Sequence, residues 1–258
     1  MRKPVPRPVQ GSRLGSSQDV ASTSQAVREM FAAVAPRYDF LNHFLSLGRD
    51  IAWRRATARA LRERLARPGS RVLDLCCGTG DLAFAFGRYS SGVVLGADFC
   101  RPMLLRARAK AVQRAGSVFF LEADALGLPF ATASLDAVAL AFGFRNLVNY
   151  ATGLEEIYRV LRPGGVLAIL EFSRARWPLF GPAFRFYFRR ILPWLGTRVS
   201  GVSGPYQYLP DSVSKFPDQE ALAALLRETG FQNVWYRDFT GGVAALHWAE
   251  KAPAAAGQ

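Results

Sequence analysis

The sequence predicts an α/β protein built on a doubly wound, mostly parallel sheet. Three observations point there. Five short segments, Arg71–Leu75, Val93–Ala97, Val118–Leu121, Leu135–Ala141 and Val166–Leu170, alternate with helical stretches. They are apolar almost throughout, as strands covered on both faces must be. The first of them runs straight into Gly78-Thr79-Gly80 and a helical segment, the layout of a loop that lets a ligand approach the backbone at a helix N-terminus.

Composition bounds the answer. The chain has 258 residues, 50% hydrophobic and 21% charged, which suits one generous domain and is too apolar for a disordered chain. Its three cysteines, with Cys76 and Cys77 adjacent and no Cys-x-x-Cys spacing, exclude a disulfide scaffold. They argue against a zinc site, so no metal is expected, and they fit a reducing cytosol. No apolar run is long enough to span a bilayer. The net charge of +13 asks for an anionic partner, and composition alone leaves nucleic acid, a membrane surface and anionic ligands open.

The elements read in order as follows. Residues 1–24 form a flexible tail. Its basic, serine-containing start also suits an organellar transit peptide, though Pro4, Pro6 and Pro8 oppose an amphipathic helix there. Residues 25–68 hold N-terminal helices: Ser24 is placed to cap the first, Pro36 ends it, and a second covers 50–66 up to the Arg67-Pro68-Gly69-Ser70 break. Residues 69–172 form the sheet, with helices over 81–89, 102–115 and 150–161 and a break at Pro163-Gly164-Gly165. Residues 173–215 interrupt the alternation. Within 216–251 a helix (218–229) precedes strands near 234–237 and 243–248, and 252–258 form a second tail.

The strand ends carry the chemistry. Asp98 closes the second strand, where an acid accepts hydrogen bonds from two ribose hydroxyls; as an alternative it caps the next helix. Asp124 and Ala125 follow the third strand, where a carboxylate can accept the exocyclic amine of adenine or simply close a turn. Gly-x-Gly-x-x-Ala fits a dinucleotide loop as well as S-adenosylmethionine. Asp74 and Asp81 separate the two: acids repel a diphosphate and suit an ammonium and a sulfonium. No arginine or lysine lies between Arg71 and Arg88 to hold phosphate. Asp74, Gly78, Gly80, Asp98, Asp124 and Ala125 are therefore the expected cofactor-binding residues. His43 and His247, the two histidines, read as structural or exposed.

Further segments carry a family resemblance. They are Val-Ala-Pro-Arg-Tyr-Asp at 34–39, Val-Leu-Asp-Leu-Cys-Cys-Gly-Thr-Gly-Asp at 72–81 and Ala-Phe-Gly-Phe-Arg-Asn-Leu at 141–147. Later come Tyr-Arg-Val-Leu-Arg-Pro-Gly-Gly at 158–165 and Tyr-Leu-Pro-Asp-Ser-Val-Ser-Lys-Phe-Pro at 208–217. The chain resembles the ubiquinone/menaquinone biosynthesis C-methyltransferases from about Ala26 to Lys251. The resemblance implies a class I S-adenosylmethionine-dependent methyltransferase fold and methyl transfer to a ring carbon of a prenylated quinol. It also implies cofactor contacts at Thr79, Asp98, Asp124 and Ala125 and substrate activation at Arg145, Asn146 and Tyr38. Arg145 would steady a phenolate, with a structural salt bridge to a strand-end acid as its alternative. Asn146 would orient a water or cap the helix before 150, and Tyr38 would line the ring pocket or the core. Cys76-Cys77, Ala141 and Asp124 depart from residues common in the family, Ala-Gly, serine and asparagine.

Between Ser173 and Pro210 there is no acid, and six arginines interleave with nine aromatic residues. Phe180, Phe184 and Phe188 share a helical face, which suits a membrane interface or a lid over an apolar substrate. The expectation is an enzyme at the cytoplasmic face of the membrane, in peripheral contact with lipid, without nucleic acid and compatible with a homodimer. An RNA methyltransferase is the alternative that the positive charge motivates.

Overall fold

The computed structural model describes residues 20–114, 118–176 and 204–254, together with Tyr187, Arg190, Trp194 and Arg198. Four helices come first: α1 (Val20–Val34), α2 (Tyr38–Leu45), α3 (Arg49–Ala60) and α4 (Arg62–Leu65). Then β1 (Arg71–Leu75), α5 (Asp81–Gly87), β2 (Val93–Asp98), α6 (Arg101–Val112), β3 (Val118–Glu122), β4 (Leu135–Ala141), α7 (Tyr150–Val160) and β5 (Leu161–Phe172) alternate. After the interruption come α8 (Gly204–Lys215), α9 (Gln219–Glu228), β6 (Gln232–Phe239) and β7 (Ala244–Glu250).

The seven strands form one sheet in the order β3-β2-β1-β4-β5-β7-β6. The first five are parallel, and β7 runs antiparallel between β5 and β6. Strand order reverses between β1 and β4, and in such sheets the crevice outside the carboxyl ends of the strands is where ligands bind. One apolar layer packs α7 and α9 on the sheet through Ile157, Val160, Leu167, Ile169 and Leu222, all essentially fully buried. The other packs α3 and α5 through Ala58, Leu61, Leu82 and Phe86. Each such aliphatic or aromatic side chain contributes about 1.5–3 kcal/mol of transfer free energy. A smaller cluster of Val34, Ala35, Cys100 and Met103 fixes the end of α1 on α6 and so brings the N-terminal helices over the crevice.

Three boundaries differ from the sequence reading. The first helix begins at Val20, so Ser24 lies inside it and does not cap it. The stretch 50–66 is two helices that meet at Leu61, whose backbone leaves ideal helical geometry at ψ −1°. Pro163-Gly164-Gly165 does not precede the fifth strand but opens it as an irregularity: pairing jumps from Leu135↔Leu161 to Ala137↔Val166. Gly164 takes φ +72° there, and a bulge is one of the few strand positions that tolerates proline.

Candidate active site

β1 ends in a sharp turn. Cys76 adopts φ +55° and Gly78 and Gly80 follow at +55° and +87°. A Cβ on Gly80 would sit 2.8 Å from the Phe120 ring, so only glycine fits there. The turn delivers the Gly78 N–H to Asp98 Oδ2 at 2.8 Å, while Cys100 N–H donates to Oδ1 at 2.8 Å. The Phe99 N–H also acts on this carboxylate, which with about four acceptor positions can still take a ligand hydroxyl. Burial pushes the Asp98 carboxyl up to about 6, although the backbone donors act against that shift.

Asp98 lies on an open cavity at the carboxyl ends of β1 to β4, about 740 Å³ with its mouth included. Gly78, Asp124 and Ala125 line it too, as do Tyr38 and Asn146. Phe31, Phe99, Met103 and Phe142 supply apolar walls. Asp124 Oδ1 accepts the Leu126 N–H at 2.9 Å and closes the turn after β3. Tyr38, the first residue of α2, lies over the glycine turn, its ring 3.8 Å from where a Gly78 Cβ would stand. Burial raises its phenol, opposed by Arg54 and Arg145. Asn146 Oδ1 accepts from Tyr208 Oη at 2.9 Å. It is not the cap of α7: that is Asn149, whose side chain accepts from Thr152 N–H.

The other expected residues stand behind this surface. Asp74 is buried and accepts the Ala83 N–H at 2.8 Å, capping α5 from the neighbouring strand because Gly80 has no side chain to do so. Its Oδ1 has no partner among the described residues, and burial raises its carboxyl well above the ordinary range. The Thr79 hydroxyl donates to Asp39. Lys110 of α6 then reaches Asp39 Oδ2, Asp81 Oδ1 and Thr79 Oγ1 at 2.8, 2.8 and 3.1 Å. Asp74 and Asp81 therefore do not face the cavity as free acids, and a lysine does reach the loop from outside it.

Arg145 is also set back. Its Nη1 lies 2.6 Å from Glu171 Oε1, its backbone N–H donates to Glu171 Oε2 at 3.2 Å, and its guanidinium also donates to Phe142 O. Burial opposes the charge, but Glu171 outweighs it and holds the guanidinium above its ordinary value. The salt bridge to a strand-end acid is thus the arrangement present. Glu171, Tyr208, Asp39 and Lys110 were not among the expected site residues. The first three lie in or beside the family-like segments, whereas nothing local marks Lys110. His247 is buried, with Nε2 on Gln219 O at 2.9 Å, and His43 pairs with Asp50 at 2.8 Å, both structural settings. Among the described residues no cluster could hold a metal ion. Burial keeps the thiols of Cys76 and Cys77 protonated.

A buried acid at the end of β2 with lone pairs to spare, a glycine turn and an apolar wall fit an adenosine-containing cofactor. Comparison with known proteins decides the chemistry. The model of the ubiE/COQ5 methyltransferase family matches residues 19–251. The chain belongs to this family. As a ubiE/COQ5 methyltransferase it takes its methyl group from S-adenosylmethionine.

Among its relatives, the demethylmenaquinone methyltransferase of Thermus thermophilus is 50% identical over 86% of this chain and 100% of its own length. That of Deinococcus radiodurans is 49% identical over 92% and 96%. The ubiquinone/menaquinone biosynthesis C-methyltransferase of Geobacter sulfurreducens is 42% identical over 88% and 89%. Solved structures agree in fold at low identity. The [4+2]-cyclase SpnF superposes with a TM-score of 0.64 at 19% identity, over 89% of this chain and 97% of its own. A SAM-dependent methyltransferase from Aquifex aeolicus gives 0.55 at 19%, over 75% and 88%. No comparison supports the nucleic-acid alternative.

Proposed function

We propose that this ubiE/COQ5 methyltransferase transfers a methyl group to a ring carbon of demethylmenaquinol, with the related ubiquinone precursor as a second substrate class. The observation that carries this reading is the cavity itself. Its lining brings together Asp98 and Asp124, read as nucleoside acceptors, and Tyr38 and Asn146, read as ring contacts. The 50% identical relative is a demethylmenaquinone methyltransferase.

When bound, S-adenosylmethionine supplies an electrophilic methyl group on a sulfonium. The residues do the rest. Asp98 holds the ribose hydroxyls with its spare lone pairs, and Asp124 accepts the adenine amine. Asn146 Oδ1 is taken by Tyr208 and Nδ2 donates to Phe142 O at 3.5 Å, which leaves the second amide N–H to donate to a ring oxygen. Tyr38 stays a neutral phenol that lines the ring and can donate to the same oxygen. Phe31 and Phe142 exclude water from the reacting face. Arg145 and Glu171 are together nearly neutral, so Arg145 acts as a positioning residue: it fixes the Phe142–Asn146 loop on the end of β5. A quinol ring carbon is nucleophilic when its neighbouring hydroxyl is ionised, and alignment of that carbon is the main demand on the protein.

No helix among the described residues is long and apolar enough to cross a membrane. A substrate with an isoprenoid tail still requires contact with lipid, and we place the enzyme peripherally at the cytoplasmic face. The expected Phe180, Phe184 and Phe188 face lies outside the described residues. Quinone extracts of cells lacking this protein test the reading. Mass spectrometry that shows accumulated demethylmenaquinone supports it, and an unchanged quinone profile overturns it.

A further inference from the structure

A second cavity, of about 1330 Å³, shares no lining residue with the first and lies between α3, α5 and the start of β3. Its wall is basic, with Arg54, Arg55, Arg88 and Arg114 against one acid, Asp81. Arg54 is spent on Asp50 and Asp81 on Lys110. Arg55, Arg88 and Arg114 are exposed and make no salt bridge among the described residues. Arg114 lies with its guanidinium 4.5 Å from the Phe84 ring centroid, so the cavity joins unpaired cations to an apolar floor.

His43 lines the same cavity from α2. Phe40 and Phe44 flank it in sequence, four residues apart on one face of α2, and Leu47 follows in the turn after the helix. They are 60%, 44% and 85% exposed. The Phe40 and Phe44 rings stack at 5.9 Å. Leu47 holds φ +52°, a conformation unfavourable to a bulky residue, within a turn closed by Gly48 N–H on His43 O. Large apolar side chains exposed on and just after the helix that brings His43 to this cavity, and exposed arginines without a salt bridge in its wall, are the ingredients of an interfacial membrane site.

Resting on the reading of a peripheral membrane enzyme, we propose that this face is the membrane-contact surface. Arg55, Arg88 and Arg114 take the phosphates of anionic phospholipid, and Phe40, Phe44 and Leu47 enter the headgroup–acyl boundary. Because α2 also begins with Tyr38, and eight helical residues span about 12 Å, the lipid face lies within a quinol's length of the reaction cavity.

Sedimentation with phosphatidylcholine vesicles, with and without phosphatidylglycerol, tests this. The wild-type chain should bind the anionic vesicles and release them at high salt. The Phe40→Ser/Phe44→Ser/Leu47→Ser and Arg55→Gln/Arg88→Gln/Arg114→Gln variants should each lose about tenfold or more in affinity. The Arg→Lys version of the second should keep most of its binding, and calorimetry with S-adenosylmethionine should show all three folded. A folded serine or glutamine variant that binds like wild type overturns this face and leaves the membrane reading standing. Wild-type protein that binds no vesicle overturns the membrane reading itself. Binding to a single-stranded RNA oligomer but not to vesicles assigns the arginines to nucleic acid instead.

Discussion

Arg145 and Glu171 form a buried ion pair, Nη1 to Oε1 at 2.6 Å, between the loop after β4 and the end of β5. The same carboxylate accepts the backbone N–H of Arg145. Tyr150 Oη donates to the Arg145 carbonyl at 3.2 Å, so both the main chain and the side chain of this residue are fixed. The loop carries Phe142 and Asn146 to the cavity, and its placement depends on this pair.

Removing one member of the pair leaves a buried, uncompensated charge. Arg145→Met is expected to destabilise the fold by about 3–5 kcal/mol, measured by denaturant unfolding. Combining it with Glu171→Gln should restore most of that stability and a substantial part of kcat. A double variant that is stable but still inactive would show that Arg145 acts on the substrate and does more than position the loop.

Asp98→Ala should weaken S-adenosylmethionine binding well over tenfold, since two charge-assisted hydrogen bonds at roughly 1.5–3 kcal/mol each are lost. Unfolding stability should change little, because relief of a desolvated carboxylate is offset by the Gly78 and Cys100 N–H groups left without an acceptor. Calorimetry reads the first effect, and unchanged affinity removes Asp98 from the site.

Cofactor affinity should also depend on pH through the same residue. The ribose hydroxyls donate to the carboxylate, so the ionised form binds. The free protein's Asp98 is raised to about 6. Affinity is therefore flat above about pH 7 and falls close to tenfold per unit below about pH 6. A titration from about pH 8 to about pH 5 that shows constant affinity contradicts the assignment.

Tyr208→Phe removes the hydrogen bond to Asn146 Oδ1. Turnover should fall about three- to tenfold, the worth of one neutral hydrogen bond, with cofactor affinity unchanged. If KM for the quinol and kcat both stay at wild-type values, Asn146 is positioned without Tyr208.

The sequence reading and the structure agree where one chain segment contains the whole cause. Val93–Asp98 is apolar up to its final acid, and that acid stands at a strand end by construction. The glycines of the turn are likewise local, because φ is a property of one residue. Agreement stops where a side chain chooses a partner. Asp74 and Asp98 are both acids near strand ends; one turns to the Ala83 N–H and the other to the cavity, and no local pattern distinguishes them. Lys110 meets Asp81 across 29 positions and Asp39 across 71. Glu171 meets Arg145 across 26. Such pairings belong to the assembled sheet and to helices laid over it.

The place of β7 between β5 and β6 sets an order of events during synthesis. β6 leaves the ribosome first, yet its hydrogen-bonding partner in the sheet is β7. Until β7 arrives, β6 has nothing to pair with, and the apolar edge of β5 stays open along Val166–Phe172. A chain cut before Ala244 would therefore carry a nearly complete cofactor half and an uncapped, sticky strand edge, a form suited to aggregate or to recruit a chaperone.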